Sequence, residues 1–430
     1  VTENITSLRG MPDVLPEKSA CWREVERVWM SVMAQYGYVE IRLPVLEKTA
    51  LFKRAIGEVT DIVEKEMFTL QDRDKESIAL RPEGTAGCIR AGIEHGLLYN
   101  QTQKWWYEGS MFRYERPQKG RYRQFHQLGV EAFGFYDADI ELEQFLLVGR
   151  FFKALGISDA ITLEVNSLGS AASRQIYRDA LIQYWEKQGD ALDGEAKRRL
   201  YTNPLRILDS KVPSMQPLIA AAPQLRDYWD AASRDRFEQL LEKCDALGIA
   251  YRINPRLVRG LDYYNGLVYE WTTTALGAQG TLCAGGRYDN LVEQLGGKPT
   301  AGIGFGIGIE RVLLLVEQQS TMLKGSILPM AYVVFEGEKG QALAFDLLES
   351  WRNALPQLRL MMHLGGGSLK TQFKKADKSG ADWALILGER EIDTKTVSIK
   401  WLRQSEKPQQ SIAQEDMLNW FTKYLQGNGE

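Results

Sequence analysis

The 430-residue sequence predicts an α+β protein: an antiparallel sheet flanked by helices, carrying a helical insertion and followed by an α/β domain. Three observations predict it. Strand-like runs at 104–115 and 123–135 are joined by the polar loop Pro117–Tyr122, which favours antiparallel pairing. Residues 170–252 turn polar and helical in spacing, with prolines 204, 213, 217 and 223 between the helical runs. From 327 onward apolar strands alternate with helices, as in a small α/β domain. The expected limits are 1–326 for the first domain, with its insertion at 170–252, and 327–430 for the second, with 317–328 as the linker.

Along the chain, Trp22, Val25, Trp29, Val32 and Tyr36 recur at three- and four-residue steps, so 16–36 reads as an amphipathic helix opened by Pro16. Tyr38–Leu43 alternates as a strand and stops at Pro44. Lys65–Leu70 and Ser77–Arg81 read as a hairpin around Asp72-Arg73-Asp74-Lys75. Helical spacing follows at 171–188, 193–201 and 233–247, and strand patterns return at Tyr251–Val258 and Leu267–Thr273. The last domain carries strands at Met330–Phe335, Arg359–His363, Trp383–Leu387 and Thr396–Trp401, and helices at Gln341–Ala354, Leu369–Ser379 and Gln414–Leu425.

Composition narrows the class. A net charge of -3 means that any RNA contact must use local patches. Cys21, Cys88, Cys244 and Cys283 are scattered, which argues against a zinc site or disulfide framework and for a reducing, cytoplasmic location. The start Val1-Thr2-Glu3-Asn4 has no signal-peptide pattern, and no apolar run is long enough to span a membrane. His95, His126 and His363 are too separated for a metal cluster or a nucleophilic triad, and His126 reads as structural.

Chemistry concentrates in a few segments. Arg113 and Glu115, two apart on a strand, would point into one cleft, the guanidinium to a phosphate and the carboxylate to an adenine amino group. Alone, such a pair reads as a surface ion pair. The loop through Lys119-Gly120-Arg121 and the returning Phe125, a flat face for a base, turn the reading toward a nucleotide. Gly302, Gly304, Gly306 and Gly308 alternate with Ile303, Phe305 and Ile307, giving a strand with one bare face. Arg311 then sits in the first turn of a helix, a second phosphate candidate. Glu83 and Thr85 could receive a cationic amino group, and Gln127 and Glu131 share the face of Phe125 and Gly129. Alone, Glu131 reads equally as a surface carboxylate and Tyr263-Tyr264 as core aromatics. With no G-x-x-x-x-G-K-[ST], a Walker site is excluded.

The Arg113–Phe125 and Gly302–Arg311 segments resemble motifs 2 and 3 of class II aminoacyl-tRNA synthetases, and the 16–44 helix–strand–proline resembles motif 1, which in that family builds the dimer interface. Leu257-Val258-Arg259-Gly260-Leu261-Asp262-Tyr263-Tyr264 resembles the histidine motif of bacterial histidyl-tRNA synthetases, and Cys283–Asp289 their following strand and turn. The resemblance runs from Leu8-Arg9-Gly10-Met11 to the final domain.

It implies a class II fold and a homodimeric histidine–tRNA ligase that uses ATP with Mg2+, L-histidine and tRNA(His). Arg259 and Arg113 would be catalytic cations, and Glu83, Gly84, Thr85, Gln127, Glu131, Arg259, Tyr263 and Tyr264 would bind histidine. Arg113, Glu115, Arg121, Phe125, Gln127 and Arg311 would bind ATP. Arg116, Gln118, Lys119 and Arg121 could meet the tRNA acceptor end. Lys370, Lys374 and Lys378 lie on one helical face of a domain that would bind the anticodon, although each reads equally as a solvated lysine. Two departures stand out: Asn265-Gly266-Leu267 follows the tyrosine pair where the family often has a basic residue and threonine, and Gly306 stands where alanine is common. The alternative is a catalytically inactive, histidine-sensing regulatory subunit. Such paralogues typically lose the arginine of the histidine motif and the last domain, and this chain has both.

Overall fold

Pro16 opens the first helix, α1 (Pro16–Gln35), and its apolar stripe buries Val25, Val28, Trp29, Val32 and Met33. In this computed structural model, described for residues 4–58, 60–210, 212–277, 280–319, 328–404 and 406–426, the chain divides into two compact units, Val1–Leu323 and Lys324–Glu430. Most of the expected 317–328 linker, and Val1-Thr2-Glu3 of the start read for a signal peptide, lie outside the described residues.

In the first unit the strands are β1 (Val39–Glu40), β2 (Leu46–Lys48), β3 (Thr69–Gln71), β4 (Ser77–Leu80), β5 (Gln103–Phe112), β6 (Gln124–Phe133), β7 (Thr162–Ser167), β8 (Arg252–Ile253), β9 (Leu267–Thr272), β10 (Thr281–Arg287) and β11 (Gly302–Gly308). The helices after α1 are α2 (Thr49–Ile56), α3 (Thr85–Glu94), α4 (Asp139–Ala154), α5 (Ala171–Gln188), α6 (Gly194–Arg199), α7 (Gln216–Ala220), α8 (Ala231–Ala246), α9 (Leu291–Gln294) and α10 (Ile309–Gln319). Among the described residues, eight strands form one sheet in the order β1-β5-β6-β11-β10-β9-β7-β8, and β2-β4-β3 form a small second sheet.

The centre of the large sheet, β5 through β7, is antiparallel as expected, while β1 and β8 add parallel edges. The period of two sorts β6 onto two faces. Leu128 and Val130 pack into the core beneath α1, α4 and α10, with Trp29, Phe145, Phe151, Val312 and Val316. Phe125, Gln127, Gly129 and Glu131 point to the opposite face, toward α3 and the 257–264 segment. The same alternation sends Phe305 and Ile307 of β11 into the core and leaves the glycines on the opposite face.

Several expected strands are shorter. Only Val39–Glu40 of Tyr38–Leu43 pairs as a strand, because it lies at the sheet edge beside Trp105 and Trp106 and Pro44 follows. Residues Ile62–Glu66 form a wide helical turn closed by Met67 N–H to the Ile62 carbonyl, so the hairpin begins at Thr69. Of Tyr251–Val258 only Arg252–Ile253 pairs, and the chain then runs without regular structure to Leu267. Arg113 and Glu115 lie past the end of β5, not on it. Helix α3 continues beyond Ala91 to Glu94.

In the second unit, β12 (Ala331–Phe335), β13 (Leu360–Met362), β14 (Trp383–Leu387), β15 (Thr396–Trp401) and β16 (Gln410–Ala413) form a sheet ordered β13-β12-β14-β15-β16. Helices α11 (Gly337–Ala354), α12 (Leu369–Lys378), α13 (Glu389–Thr394) and α14 (Met417–Leu425) accompany it, and Leu348, Trp351, Trp383, Ile399 and Phe421 lie in its core. No helix among the described residues is long and apolar enough to cross a membrane.

Candidate active site

The bare face of β11 makes a floor. Gly304 pairs with Glu131, Gly306 with Gly129 and Gly308 with Gln127. A Cβ on Gly304 would strike the Glu131 carboxylate, and one on Gly129 or Gly84 the ring of Tyr107. Close approach, not a turn, requires these glycines.

Above this floor lies a cavity of about 300 Å³ lined by Glu83, Thr85, Arg113, Glu115, Arg121, Phe125, Gln127, Arg259, Tyr263, Tyr264 and Arg311, among others. Distant stretches of the sequence meet there, bringing together Arg113 and Arg311, expected to face phosphate, and Arg259, expected to be a catalytic cation.

The cations are held by specific partners. Arg113 Nε donates to the Pro82 carbonyl at 2.9 Å, with its guanidinium 5.4 Å from the Phe125 ring centre. Arg311 donates to the carbonyls of Gly120 at 3.0 Å and Thr281 at 2.7 Å, so the motif 2 loop and β10 position it. Arg259 pairs with Glu270 and lies 5.6 Å from the Tyr264 ring centre, while its Nε is buried and hydrogen-bonded to no described protein group.

Their electrostatics differ. Burial lowers the pKa of Arg113, and burial followed by the nearby charges of Arg121 and Arg113 lowers that of Arg311. Burial is the largest effect on Arg259 and opposes its charge, but Glu270, Tyr264 and Tyr263 together outweigh it and leave the pKa raised. Arg311 and Arg113 thus crowd positive charge that a polyanion would relieve.

The acceptors form a second layer. The Glu83 carboxylate accepts the N–H groups of Thr85 at 2.6 Å and Ala86 at 3.1 Å, closing the start of α3. Burial raises its pKa against those bonds. Glu131 lies under the cavity lining, 1% exposed, and accepts hydroxyl groups of Thr85 at 2.6 Å, Tyr107 at 3.1 Å and Tyr288. Burial pushes its pKa up to about 8, although the Thr85 and Tyr288 hydroxyls pull it down.

The remaining predicted residues also have defined places. Gly84 precedes the first residue of α3. Glu115 and Arg121, expected to contact ATP, pair with each other. Arg116, Gln118 and Lys119 are exposed on the loop, and Lys370, Lys374 and Lys378 are exposed along α12, in the separate second unit. His126 points away from the cavity, donating its backbone N–H to Glu310, with its ring nitrogens near Glu310 at 2.9 Å and Ser110 at 3.0 Å.

Tyr107, Tyr288, Glu270 and Thr281 carried no predicted role. Tyr107 had a detectable signal, a bulky residue paired with Gly129 across the β5–β6 register. Glu270 had another, a lone carboxylate in the apolar run Leu267–Trp271. Tyr288 lies in the Cys283–Asp289 segment singled out above but was given no role of its own, and Thr281 had no signal before the fold brought it in.

Comparison with known proteins gives the family. The family model described as histidyl-tRNA synthetase matches residues 10–312, and an anticodon binding domain model matches residues 332–424. An S. aureus apo histidyl-tRNA synthetase is 33% identical, with a TM-score of 0.79, covering 98% of this chain and 100% of that one. A histidyl-tRNA synthetase from Nostoc shares the fold at 19% identity and a TM-score of 0.71, covering 98% of this chain and 100% of its own. A Bacillus halodurans structure described as an ATP phosphoribosyltransferase regulatory subunit/histidyl-tRNA synthetase shares it at 21% identity and a TM-score of 0.65, with 89% and 98% covered. With its model matched over 303 of 430 residues (10 through 312) and the S. aureus enzyme aligned along nearly its whole length, the chain belongs to the histidyl-tRNA synthetase family.

Proposed function

We propose that the chain is a histidine–tRNA ligase that activates L-histidine with ATP and transfers it to the 3′ end of tRNA(His). The observation that carries this reading is the meeting of Arg113, Arg259 and Arg311 around the cavity that also holds Glu83, Thr85, Gln127, Tyr263 and Tyr264.

The substrate carboxylate attacks the α-phosphorus in line. A carboxylate-oxygen-to-phosphorus bond forms and the bond to the bridging oxygen of pyrophosphate breaks. Arg113 and Arg259 neutralise charge as it develops on the α-phosphoryl oxygens, and Arg311 holds the leaving phosphates. Glu83, Thr85 and Gln127 receive the amino group. Tyr263 and Tyr264 meet the imidazole, which carries one donor and one acceptor, while Glu131 beneath the lining holds the Thr85 hydroxyl. Phe125 faces the base. The terminal hydroxyl of the tRNA then attacks the acyl carbon and AMP leaves. Positioning and electrostatics suffice, without a protein nucleophile. Mg2+ would come with ATP and offset the charge of its phosphates, because the lining carboxylates Glu115 and Glu270 are already paired with Arg121 and Arg259.

The exposed lysines of α12 and the anticodon binding domain match at 332–424 support tRNA as the acceptor. They also weigh against the regulatory reading, as does Arg259 in the cavity lining. Histidine-dependent ATP–pyrophosphate exchange across a panel of amino acids tests the proposal. Exchange with histidine alone supports it, and none with any amino acid favours the regulatory role. The homodimer implied by motif 1 is tested by light scattering.

A further inference from the structure

The segment that carries Arg259 has almost no secondary structure of its own. Between β8 and β9 its backbone runs from Asn254 to Gly266 as turns and extended chain. Buried backbone carbonyls need donors, and here side chains supply them. Asn166 Nδ2 donates to Leu257 O at 3.0 Å. Arg206 donates to Gly260 O at 2.7 Å, and Arg174 to Tyr264 O at 2.6 Å. Asn203 also donates to the Asp262 carboxylate at 3.3 Å.

Three of these four donors come from the helical module. Arg174 lies on α5, and Asn203 and Arg206 lie at the 204–209 turn. They are spaced along the segment so that they catch it one residue after Arg259 and at Tyr264, on either side of the lining residues Leu261 and Tyr263. Hydrogen bonds from guanidinium groups are stronger than neutral ones, and Arg174 is desolvated, which lowers its pKa against the pull of Asp262. The module also fits closely here, since a Cβ on Gly260 would meet Arg206 Nη2 at 3.0 Å.

We propose that Arg206 and Arg174 are positioning residues for Arg259: through them the helical module sets the 259–264 segment in the shape that aims the Arg259 guanidinium into the cavity. The proposal rests on the role assigned above to Arg259 in histidine activation. It gives the module a part in the first half-reaction, which needs no tRNA.

The test compares Arg206→Ala, Arg206→Lys and Arg178→Ala in the full chain. Arg178 is the control because it donates to Tyr201 O, inside the module. Two readouts are taken: hydrogen–deuterium exchange of the 257–266 peptide, and kcat and KM for histidine-dependent pyrophosphate exchange. Arg206→Ala is expected to raise amide exchange in that peptide and to lower kcat roughly ten- to a hundredfold, the scale of a small misplacement of a reacting group, with KM for ATP little changed. Arg206→Lys, which keeps one charged donor, is expected to recover part of both, and Arg178→Ala to move neither.

Unchanged peptide protection or unchanged kcat in a folded Arg206→Ala protein would overturn the proposal. So would an equal loss in Arg178→Ala, which would trace the effect to the module's stability. If Arg206→Ala fails to fold, Arg174→Lys and Arg206→Lys provide the same comparison. A wild-type protein with no histidine-dependent exchange would defeat the ligase reading instead, and peptide protection would then decide whether the clamp exists.

Discussion

The Thr85 hydroxyl donates to the Glu131 carboxylate at 2.6 Å, and both residues are buried. Burial holds the Glu131 pKa at about 8, against an ordinary value of 4.5. Between those values the folded chain keeps a proton that the unfolded chain has released. Stability is therefore highest near and below pH 4.5 with respect to this group, and falls as pH rises toward 8. Glu131→Gln removes the titration, and its hydroxyl neighbours can reorient to suit an amide. The variant's melting temperature should exceed that of the wild type by an amount that grows from pH 5 to pH 8, while histidine-dependent exchange falls. A gap that stays constant across that range would mean that Glu131 is ionised throughout.

Arg259 and Glu270 are both mostly buried and pair with each other, so removing one strands the other. Arg259→Ala should slow pyrophosphate exchange by roughly 10²–10³-fold, the usual loss for one charge-stabilising donor. It should also lower the melting temperature. Adding Glu270→Gln should restore much of the melting temperature and none of the rate, because stability depends on the unpaired carboxylate and rate on the missing cation. Near-normal exchange in Arg259→Ala would end its catalytic assignment.

The glycines of β11 differ in what a methyl group would meet. At Gly304 it would press on the Glu131 carboxylate and the Val130 backbone, and at Gly306 only on the movable end of Gln127 at 3.2 Å. Gly304→Ala should therefore cost about 1–3 kcal/mol, as overpacking does. Gly306→Ala should stay within roughly 0.5 kcal/mol. Urea denaturation of the two variants measures the difference, and equal losses would contradict this account of the floor.

Local chemistry explains what the sequence revealed. Long elements such as α1 and α5 follow from their apolar spacing and the short β14 from its continuous apolar run, and Arg113, Arg259 and Arg311 stand out because each sits in a distinctive motif. What stayed hidden depends on distant partners. Glu131 beneath the lining needs Tyr288 and Thr85 to explain it. The 251–258 run alternates like a strand but has a pairing edge only at Arg252–Ile253. Arg206 and Arg174 carry no mark in the sequence, because nothing local distinguishes a side chain that serves carbonyls 54 and 90 residues away.

Lys370, Lys374 and Lys378 offer the clearest test of the second unit. Ala376 and Gln372 are buried on the inner side of α12 and the three lysines are exposed, so the helix presents a charged ridge with no ion pair among the described residues. If that ridge meets phosphates, each contact releases counterions and adds roughly 0.7–0.9 to the slope of log affinity against log salt. Replacing all three by alanine should then reduce that slope for a tRNA(His) transcript by about 2–3 and weaken binding at low salt. Histidine-dependent pyrophosphate exchange, which needs no tRNA, should be unchanged. An unaltered slope would make the ridge a solvated face, and RNA binding would have to rest on other charges such as the exposed Arg116 and Lys119 of the first unit.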